Sequence, residues 1–390
     1  MSDATKIRTR TVRAALETDS QYGAVVPPIH LSSTFAFEGY GAKRTYDYSR
    51  SGNPTRDALA AALADLEVGA GAVVTSSGMA AVGLVTQLLA PQQLVVVPHD
   101  CYGGTYRLFN ALSQRGSMRV RFVDFQQPGE LGAAFAEGPA MVWIETPSNP
   151  LLRIVDIGAV AKQGRDAGAI VVADNTFLSP VWQRPLELGA DLVVHSTTKY
   201  LNGHSDVVGG AVIAASTEQH ERLAWWANCT GVTGAPFDSF LTLRGLRSLH
   251  ARMRCHAENA ERVARMLERH PAVRQVYFPG LETHPGHSIA MRQQLAPGAM
   301  VSFELAGGLD AVRAFLGTVQ LFSLAESLGG VESLVAHPAS MTHAAMDPEA
   351  RRRAGIADSL LRLSIGIEEG DDLLRDLADA LDAAGHPTGA

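Results

Sequence analysis

Cysteine is scarce in this sequence, which has three in 390 residues, Cys101, Cys229 and Cys255. They are odd in number, widely spaced and without a Cys-X-X-Cys pair, which excludes a disulfide-rich scaffold and the paired-cysteine zinc sites. An excess of basic charge is also missing, because 33 Lys and Arg stand against 40 Asp and Glu and give a net charge of −7. The sequence therefore predicts no nucleic-acid partner, since a phosphate backbone requires a surplus of cations.

Long apolar runs are absent as well. The longest, such as 80–90, are much shorter than the roughly 18 residues that span a bilayer, and the N-terminal segment lacks the apolar stretch of a secretion signal. We therefore expect a cytoplasmic protein without a membrane segment, which also suits the few cysteines. The composition itself is that of a globular protein, with 46% hydrophobic and 19% charged residues, and excludes disorder as the main state.

Short β-branched runs alternate with helix-length segments from about residue 70 onwards. The runs begin at residues 72, 94, 120, 141, 170 and 192. Such alternation is typical of an α/β fold with a mostly parallel sheet. A long helical stretch near 242–253 and a mixed pattern after it are typical of a smaller α+β domain. We predict an arm at 1–60 with little core of its own, a large domain at 61–250 and a small C-terminal domain at 251–390.

Three of these runs end in residues that suit a ligand site. Ligands collect at the carboxyl ends of the strands of an open parallel sheet. One run ends in Asp174, a second leads to hydroxyl groups and Lys199, and a third passes through Ser76-Ser77-Gly78-Met79 into an apolar helix. The free N–H groups of such a helix N-terminus suit a phosphate, although an ordinary helix cap fits the same segment.

The lysine and the aspartate point to one cofactor when they are considered together. Lys199 follows a strand and Ser196-Thr197-Thr198, a position that suits a Schiff-base lysine better than a solvated charge. Asp174 suits the partner of a pyridinium nitrogen. Each residue alone is more often a surface charge or a helix cap, but together with a phosphate cup they predict pyridoxal 5′-phosphate.

Two further residues have both a functional and an ordinary interpretation. Tyr102 follows a run that ends near residue 100 and suits either stacking on a planar ring or simple packing. Alternation in 361–365 directs Arg362 away from the apolar face, which suits either a bidentate grip on a carboxylate or an exposed strand arginine. The 13 histidines include no His-Glu-X-X-His motif, so we predict no metal site.

Several longer stretches match the pattern of a known family. They include Gly52-Asn-Pro-Thr-Arg, His99-Asp-Cys-Tyr-Gly-Gly, Asp174-Asn-Thr-Phe and, most specific of all, HSTTKYLNGHSD at 195–206. On these stretches nearly the whole chain resembles the Cys/Met-metabolism family of pyridoxal-phosphate enzymes. The resemblance implies the aspartate-aminotransferase-like fold type I and a cofactor-binding role for 61–250. It also implies a homotetramer of two active dimers, in which the arm contributes to the neighbouring subunit's active site.

The family's residue roles carry over where the residues match. Lys199 resembles the lysine that binds the cofactor and moves protons, Asp174 the partner of the ring nitrogen and Tyr102 the stacking residue. The resemblance implies further cofactor contacts from Tyr48 and Arg50 of the neighbouring subunit, Gly78, Met79, Thr176, Ser196 and Thr198. It implies substrate contacts from Arg362 with Asn149 and Ser327 at the α-carboxylate, and from Arg107, Glu326 and Asp47.

The resemblance implies amino-acid substrates and a choice between two reactions. In the expected γ-replacement, O-succinyl-L-homoserine and L-cysteine give L-cystathionine and succinate, a transsulfuration step of methionine biosynthesis. The alternative is γ-elimination of cystathionine to cysteine, 2-oxobutyrate and ammonia. Asp47 and the segments 224–228 and 231–234 favour replacement, whereas Ser51 stands where γ-lyases commonly have serine and the enteric synthase has arginine.

Two questions stay open in the sequence. Replacement needs an acceptor for the cysteine thiol proton, and Tyr102, Tyr48 and Lys199 are all candidates. A cofactor-free relic of the fold is a different class of protein, and the joint presence of Lys199, Asp174, Tyr102, Arg50 and Arg362 argues against it.

Overall fold

A computed structural model of the chain describes residues 6–344 and 346–385. The strands in chain order are β1 Gly71–Thr75, β2 Leu94–Pro98, β3 Arg119–Val123, β4 Met141–Glu145, β5 Ile170–Asp174, β6 Leu192–His195, β7 Gly210–Ala214, β8 Val273–Tyr277, β9 Met300–Leu305, β10 Ser323–Leu324, β11 Leu334–Ala336 and β12 Leu360–Ser364. The six runs predicted from the sequence coincide with β1 to β6, which confirms that part of the prediction.

Helices connect most of these strands. They are α1 Ile7–Val12, α2 Pro54–Glu67, α3 Gly78–Thr86, α4 Gly103–Gln114, α5 Pro128–Phe135, α6 Ile157–Asp166, α7 Ser179–Trp182, α8 Thr217–Thr230, α9 Pro236–Arg269, α10 His287–Gln293, α11 Gly308–Thr318, α12 Pro348–Ala354 and α13 Gly370–Gly385, with a 3-10 turn at Pro185–Leu188. The long helix predicted near 242–253 is part of α9. None of the helices in the described parts of the chain has both the length and the apolar composition that crossing a membrane requires.

The chain divides into two compact units. We call residues 1–90 and 170–250 the N-terminal unit, and residues 91–169 and 251–390 the C-terminal unit. The predicted division into 1–60, 61–250 and 251–390 stays a prediction. Residues 1–5 of the predicted arm, and 345 and 386–390 of the predicted small domain, lie outside the described residues.

The strands of the N-terminal unit follow the order β1-β7-β6-β5. β5 and β6 are parallel, whereas β7 is antiparallel to both β6 and β1. Helices α2 and α8 contact β1, and α3 contacts β6 and β7. The sequence analysis did not identify β7, because the segment 196–209 that separates it from β6 contains no helix. The parallel pair β5 and β6 places two strand ends side by side, as an α/β fold requires.

The start of α3 is fixed by small residues and a cap. The Ser77 hydroxyl accepts a hydrogen bond from the Ala80 N–H at 3.0 Å, and the Thr75 hydroxyl donates to the Ser77 carbonyl at 2.9 Å. Gly210 is the first residue of β7. Only glycine fits at this position, because a Cβ there would clash with the Ser77 carbonyl. The first turn of α3 is therefore packed tightly against the neighbouring strands.

The C-terminal unit contains a parallel group and a mainly antiparallel sheet. Strands β4-β2-β3 are parallel, with α6 against β4 and both α4 and α5 against β3. The other sheet has the order β10-β11-β12-β9-β8, in which only β10 and β11 are parallel. Helix α11 packs against β9 and α13. The predicted α/β class is confirmed, and the sheets are mixed rather than uniformly parallel.

Candidate active site

The ends of β5 and β6 bring together three of the predicted cofactor residues. Asp174 ends β5 and pairs in register with Val194 of β6. The Thr176 N–H donates to Asp174 Oδ1 at 3.0 Å, and the Ser196 N–H donates to Thr176 Oγ1 at 2.9 Å. Asp174, Thr176 and Ser196 therefore form one hydrogen-bonded group at the carboxyl edge of this parallel pair.

The buried carboxyl group of Asp174 is suited to bind a cation. Burial raises the pKa of this carboxyl, and the hydrogen bonds from Thr176 and the charge of His195 lower it only in part. A positive charge placed against the group would favour its ionised form. The protonated ring nitrogen of pyridoxal phosphate supplies such a charge, so this residue fits the predicted cofactor.

A second part of the N-terminal unit fits the phosphate of the same cofactor. Gly78 is the first residue of α3, and a Cβ at this position would lie 2.8 Å from Ser196 Cβ. The backbone therefore approaches Ser196 more closely than any other residue type allows. The N–H groups of Gly78 and Met79 belong to the first turn, where a helix offers no internal acceptor and favours an anion.

The segment after Ser196 forms a turn that carries Lys199. The Lys199 N–H donates to the Ser196 carbonyl at 3.3 Å, and the Lys199 carbonyl accepts from the Gly203 N–H at 2.8 Å. The Lys199 side chain is partly exposed. Thr198 differs from Ser196, because its hydroxyl donates to the Gly209 carbonyl at 3.2 Å and accepts from the Gly209 N–H at 3.0 Å.

Tyr48 and Arg50 of the predicted arm lie together at the surface of the N-terminal unit. The Arg50 guanidinium lies 5.5 Å from the centroid of the Tyr48 ring, and Arg50 Nε donates to Asn228 Oδ1 of α8 at 3.1 Å. Tyr48 is 49% exposed. Both side chains are thus available at the surface of this chain, as a role in a neighbouring site requires.

Asp47 is held in place by its own segment. Its carboxylate accepts hydrogen bonds from the Ser51 hydroxyl at 3.0 Å and from the Tyr48 N–H at 2.7 Å, and it forms an ion pair with Lys43 at 3.0 Å. Lys43 first, and then Ser51, lower the pKa of Asp47. Asp47 is therefore ionised at neutral pH, and Ser51 helps to orient it.

Arg362 lies in β12 of the C-terminal unit and is 2% exposed. Its Nη1 donates to Asn149 Oδ1 and its Nη2 to the Ser327 carbonyl, both at 2.8 Å. Ser327 adopts a φ of +86°, a left-handed conformation that serine rarely takes and that turns its carbonyl to the guanidinium. The structure thus brings together the three residues that were predicted to bind the substrate α-carboxylate. The alternative of an exposed strand arginine is wrong.

A buried histidine that the sequence analysis missed supports Asn149. His343 Nε2 donates to the Asn149 carbonyl at 3.0 Å, and the Thr342 hydroxyl donates to His343 Nδ1 at 2.9 Å. Burial, and then the charge of Arg362, lower the pKa of His343 to about 4. The imidazole is therefore neutral at pH 7, and the positive charge at this place belongs to Arg362.

Tyr102 precedes α4 in the C-terminal unit and is fixed through its backbone. Its N–H donates to Glu145 Oε2 at 2.7 Å, and Trp143 Nε1 donates to the other oxygen of the same carboxylate at 3.1 Å. Glu145 ends β4. The strand end therefore sets the position of the tyrosine, and the residue is 42% exposed.

Charged side chains surround the Tyr102 phenol. Burial is the largest influence on this group and raises its pKa; Glu326 and Glu145 raise it further, whereas Arg107 and Arg362 lower it in part. The phenol is therefore protonated at neutral pH. The predicted substrate residues Arg107, Glu326 and Arg362 all act on the same phenol, which brings them into one region of the C-terminal unit.

A comparison with known families decides the identity of this site. The model of the family described as Cys/Met metabolism PLP-dependent enzyme matches residues 8–382. The chain belongs to this family. The cofactor prediction is thereby confirmed as pyridoxal 5′-phosphate, and amino acids are the substrates of this family of enzymes.

Relatives of this family cover nearly the whole chain. Cystathionine gamma-synthase of Escherichia coli (strain K12) is 57% identical over 380 residues, which is 97% of this chain and 98% of the relative. The crystal structure of cystathionine gamma-synthase from Xanthomonas oryzae pv. oryzae has a TM-score of 0.97 and 60% identity, over 98% of this chain and 100% of that chain. Cystathionine gamma-lyase from Lactobacillus plantarum has a TM-score of 0.94 and 40% identity, over 98% and 100%. The predicted fold type I is confirmed.

A buried ion pair that the sequence analysis did not predict lies next to Ser196 in the chain. Glu67 and His195 form a buried pair, with 2.6 Å between Glu67 Oε1 and His195 Nε2. No local motif signals this contact, since 128 positions separate its partners. Within the described ranges, no group of three or more His, Cys, Asp or Glu side chains has the arrangement of a metal site.

Proposed function

We propose that this enzyme catalyses γ-replacement, in which O-succinyl-L-homoserine and L-cysteine give L-cystathionine and succinate. High identity to two synthases over nearly the full chain carries this proposal. The synthases from E. coli and X. oryzae are 57% and 60% identical to the chain, whereas gamma-lyases from Dictyostelium discoideum and L. plantarum are 46% and 40% identical. The X. oryzae synthase has also been solved in complex with cystathionine.

The N-terminal unit would hold the cofactor. The N–H groups of Gly78 and Met79 and the hydroxyl of Ser196 would bind its phosphate, in keeping with the close approach of Gly78 to Ser196. Thr198 could join them only by releasing the Gly209 carbonyl to which its hydroxyl donates. Asp174 would keep the ring nitrogen protonated, and Thr176 would hold Asp174 through its N–H.

Proton transfer would fall to Lys199. Once the substrate amine has replaced the lysine on it, pyridoxal phosphate would supply an electron sink that acidifies the Cα and then the Cβ protons of the substrate. The Lys199 amine, released by the substrate amine, would take the Cα proton and pass it on to the cofactor, and would then take a Cβ proton as succinate leaves from Cγ. The thiolate of cysteine would then add at Cγ, and the proton transfers would run in reverse.

Tyr102 would not be the acceptor of the cysteine thiol proton. A proton acceptor must be unprotonated at the working pH. The raised pKa of Tyr102 keeps its phenol protonated. Tyr102 is therefore assigned to stacking on the cofactor ring, as in the family pattern.

The C-terminal unit would bind the substrate. Arg362 would bind the α-carboxylate, because its guanidinium is buried and is held in place by the Asn149 side-chain oxygen and the Ser327 carbonyl. Arg107 and Glu326 would orient the distal part of the substrate. Asp47 of the arm would do the same, because its carboxylate is ionised.

The assembly would be a homotetramer of two active dimers in the cytoplasm. The exposed pair Tyr48 and Arg50 supports a contribution of the arm to the neighbouring site. The absence of a disulfide among Cys101, Cys229 and Cys255 is compatible with a reducing compartment. In this assembly the arm would be 1–60, the cofactor domain 61–250 and the small domain 251–390.

Product analysis tests the proposed reaction. The holoenzyme is incubated with O-succinyl-L-homoserine, with and without L-cysteine, and cystathionine, succinate and 2-oxobutyrate are quantified. We expect cystathionine and succinate in equal amounts when cysteine is present. Release of 2-oxobutyrate without cystathionine, at saturating cysteine, would contradict the proposal.

One observation favours γ-elimination of cystathionine as a second candidate. Ser51 stands where γ-lyases commonly have serine, and its hydroxyl is directed at Asp47 and at the Tyr48 carbonyl. No arginine is therefore available at this position to contact the succinyl group. Rapid formation of 2-oxobutyrate from cystathionine would favour this candidate.

A further inference from the structure

One buried carboxylate links the two strand ends of the cofactor region. Glu67 ends α2, and its side chain is fully buried. A single oxygen, Oε1, accepts two hydrogen bonds, from His195 Nε2 at 2.6 Å and from Asn175 Nδ2 at 2.8 Å. His195 is the last residue of β6 and Asn175 the first residue after β5, so one atom fixes both ends.

The partners of Glu67 are themselves fixed. Asn175 Nδ2 also donates to the Gln183 carbonyl at 2.7 Å, and Gln183 Nε2 donates to Asn175 Oδ1 at 3.1 Å. His195 and Asn175 have no exposed surface, and Gln183 is 2% exposed. Water therefore cannot take the place of Glu67 as the acceptor for His195 and Asn175. Loss of the Glu67 oxygen would leave these buried donors without this hydrogen bond.

The hydrogen bonds and the backbone form a closed circuit through the cofactor residues. Asn175 follows Asp174 and His195 precedes Ser196 in the chain. Thr176 completes the circuit, because its N–H donates to Asp174 and its hydroxyl accepts from the Ser196 N–H. A shift of either partner of Glu67 would therefore move Asp174 or Ser196.

We propose that Glu67, acting through His195 and Asn175, is a positioning residue for the cofactor-binding residues Asp174 and Ser196. The proposal rests on the assignment of these two residues to the cofactor, but not on the reaction that the enzyme catalyses. Glu67 acts as a hydrogen-bond acceptor at one point and aligns the two strand ends.

The test measures binding of pyridoxal 5′-phosphate to apoenzyme by quenching of tryptophan fluorescence. Glu67→Met removes the acceptor, and we expect the cofactor dissociation constant to rise about tenfold, as for other outer-shell partners of a bound group. Glu67→Gln keeps an acceptor oxygen and should stay within about threefold of the unsubstituted enzyme. The unfolding of each apoprotein by urea is measured alongside.

Leu223→Ala is the matched control for lost stability. Leu223 is fully buried in α8 of the same unit and has no hydrogen bond to the circuit. The two variants are compared when their losses in the free energy of unfolding are similar. If Glu67→Met then weakens cofactor binding no more than Leu223→Ala does, Glu67 has only a structural role and the proposal is wrong. If Glu67→Gln binds the cofactor as weakly as Glu67→Met, the hydrogen-bond route is contradicted.

His195 provides a second pair of variants in case Glu67→Met does not fold. His195→Phe removes the donor to Glu67, whereas His195→Gln keeps one, so only the first should weaken binding about tenfold. The double variant Glu67→Met/His195→Phe should bind within about twofold of the weaker single variant, because both break one circuit. Independent, multiplying losses would overturn the proposal. These titrations involve no turnover, so their failure would leave the proposed γ-replacement untested and unharmed.

Discussion

The two units hold their site residues in different ways. In the N-terminal unit, Asp174, Thr176 and Ser196 follow directly from neighbouring parallel strands and are tied by backbone N–H groups. In the C-terminal unit, Arg362 reaches Asn149 across 213 positions of sequence and is tied by its side chain. The cofactor region therefore follows from local turns, and the substrate region from long-range contacts to one guanidinium.

This difference predicts different failures. Changes in the cofactor region should impair chemistry or cofactor binding, because those residues would act on the ring and phosphate. Changes in the substrate region should impair substrate binding while the cofactor stays bound. The following variants test whether this division holds.

Lys199→Ala should have the largest effect, in the cofactor region. Lys199 is proposed to carry the cofactor and to move both protons, so turnover of this variant should fall about 10⁴-fold and the absorbance of the covalently held cofactor should vanish. Lys162→Ala is the control, since Lys162 is an exposed partner of Asp166 and its loss should change neither. Retention of turnover and absorbance by Lys199→Ala would refute the assignment.

Asp174→Asn should lower kcat about 10²- to 10³-fold while the cofactor remains bound. The amide cannot ionise, so it cannot hold a proton on the ring nitrogen as the carboxylate does. Turnover and the pH dependence of cofactor absorbance are measured together. Asp174→Glu should recover part of the rate, and an unchanged kcat in Asp174→Asn would remove Asp174 from the reaction.

Arg362→Leu should raise the KM for the amino-acid substrate about 10²-fold. The change would remove the two charge-assisted hydrogen bonds that Arg362 is proposed to donate to the α-carboxylate. Arg362→Lys should recover only part of this loss, because an ammonium group cannot form the bidentate pair. Steady-state kinetics with fully loaded enzyme gives the result. A change in kcat alone would place Arg362 outside substrate binding.

Acid should destabilise the C-terminal unit before the N-terminal unit. Burial lowers the pKa of His256, His284 and His343, all in the C-terminal unit, from 6.5 to about 4. These histidines bind a proton more tightly in the unfolded chain than in the folded one. The stability that each neutral histidine contributes is therefore fully present above pH 6.5 and is lost as the pH falls toward 4, by roughly 3 kcal/mol for one group.

Hydrogen exchange at a series of pH values measures this loss in each unit. Protection of C-terminal peptides should fall first, and His343→Asn should make their pH dependence less steep. Equal loss of protection in both units would contradict the comparison.

Gly78→Ala should have the smallest of these effects, about a tenfold weaker binding of the cofactor. The added Cβ would lie 2.8 Å from Ser196 Cβ and push the start of α3 away from it. Gly83→Ala is the matched control, because Gly83 lies in the same helix and a Cβ there has no neighbour within 4 Å. Equal cofactor binding by the two variants would show that the close approach is not needed.

The cofactor region could largely be predicted from the sequence, and the substrate region only through the family resemblance. Asp174, Lys199 and the Gly78 turn follow strand ends, which an alternating pattern reveals. The alternation at 361–365 gave Arg362 two equal interpretations. Its burial depends on Asn149 and Ser327, which no local pattern links to it.

Other parts of the structure could not be predicted for the same physical reason. Strand β7 pairs with β1, from which well over a hundred residues separate it in sequence. No helix directly precedes β7 that would have indicated a further strand. The pairing of Glu67 with His195 and the support of Asn149 by His343 are side-chain contacts between distant segments. Protonation of Tyr102 depends on burial and on charges from four other positions.

The most direct test of the proposed function compares cystathionine formation with cystathionine cleavage on one preparation of holoenzyme. The kcat/KM is measured for formation from O-succinyl-L-homoserine at saturating cysteine, and for release of 2-oxobutyrate from cystathionine. The account predicts that formation exceeds cleavage by at least about 10²-fold, which corresponds to nearly 3 kcal/mol of transition-state preference. Cleavage as fast as formation would contradict it and identify a γ-lyase.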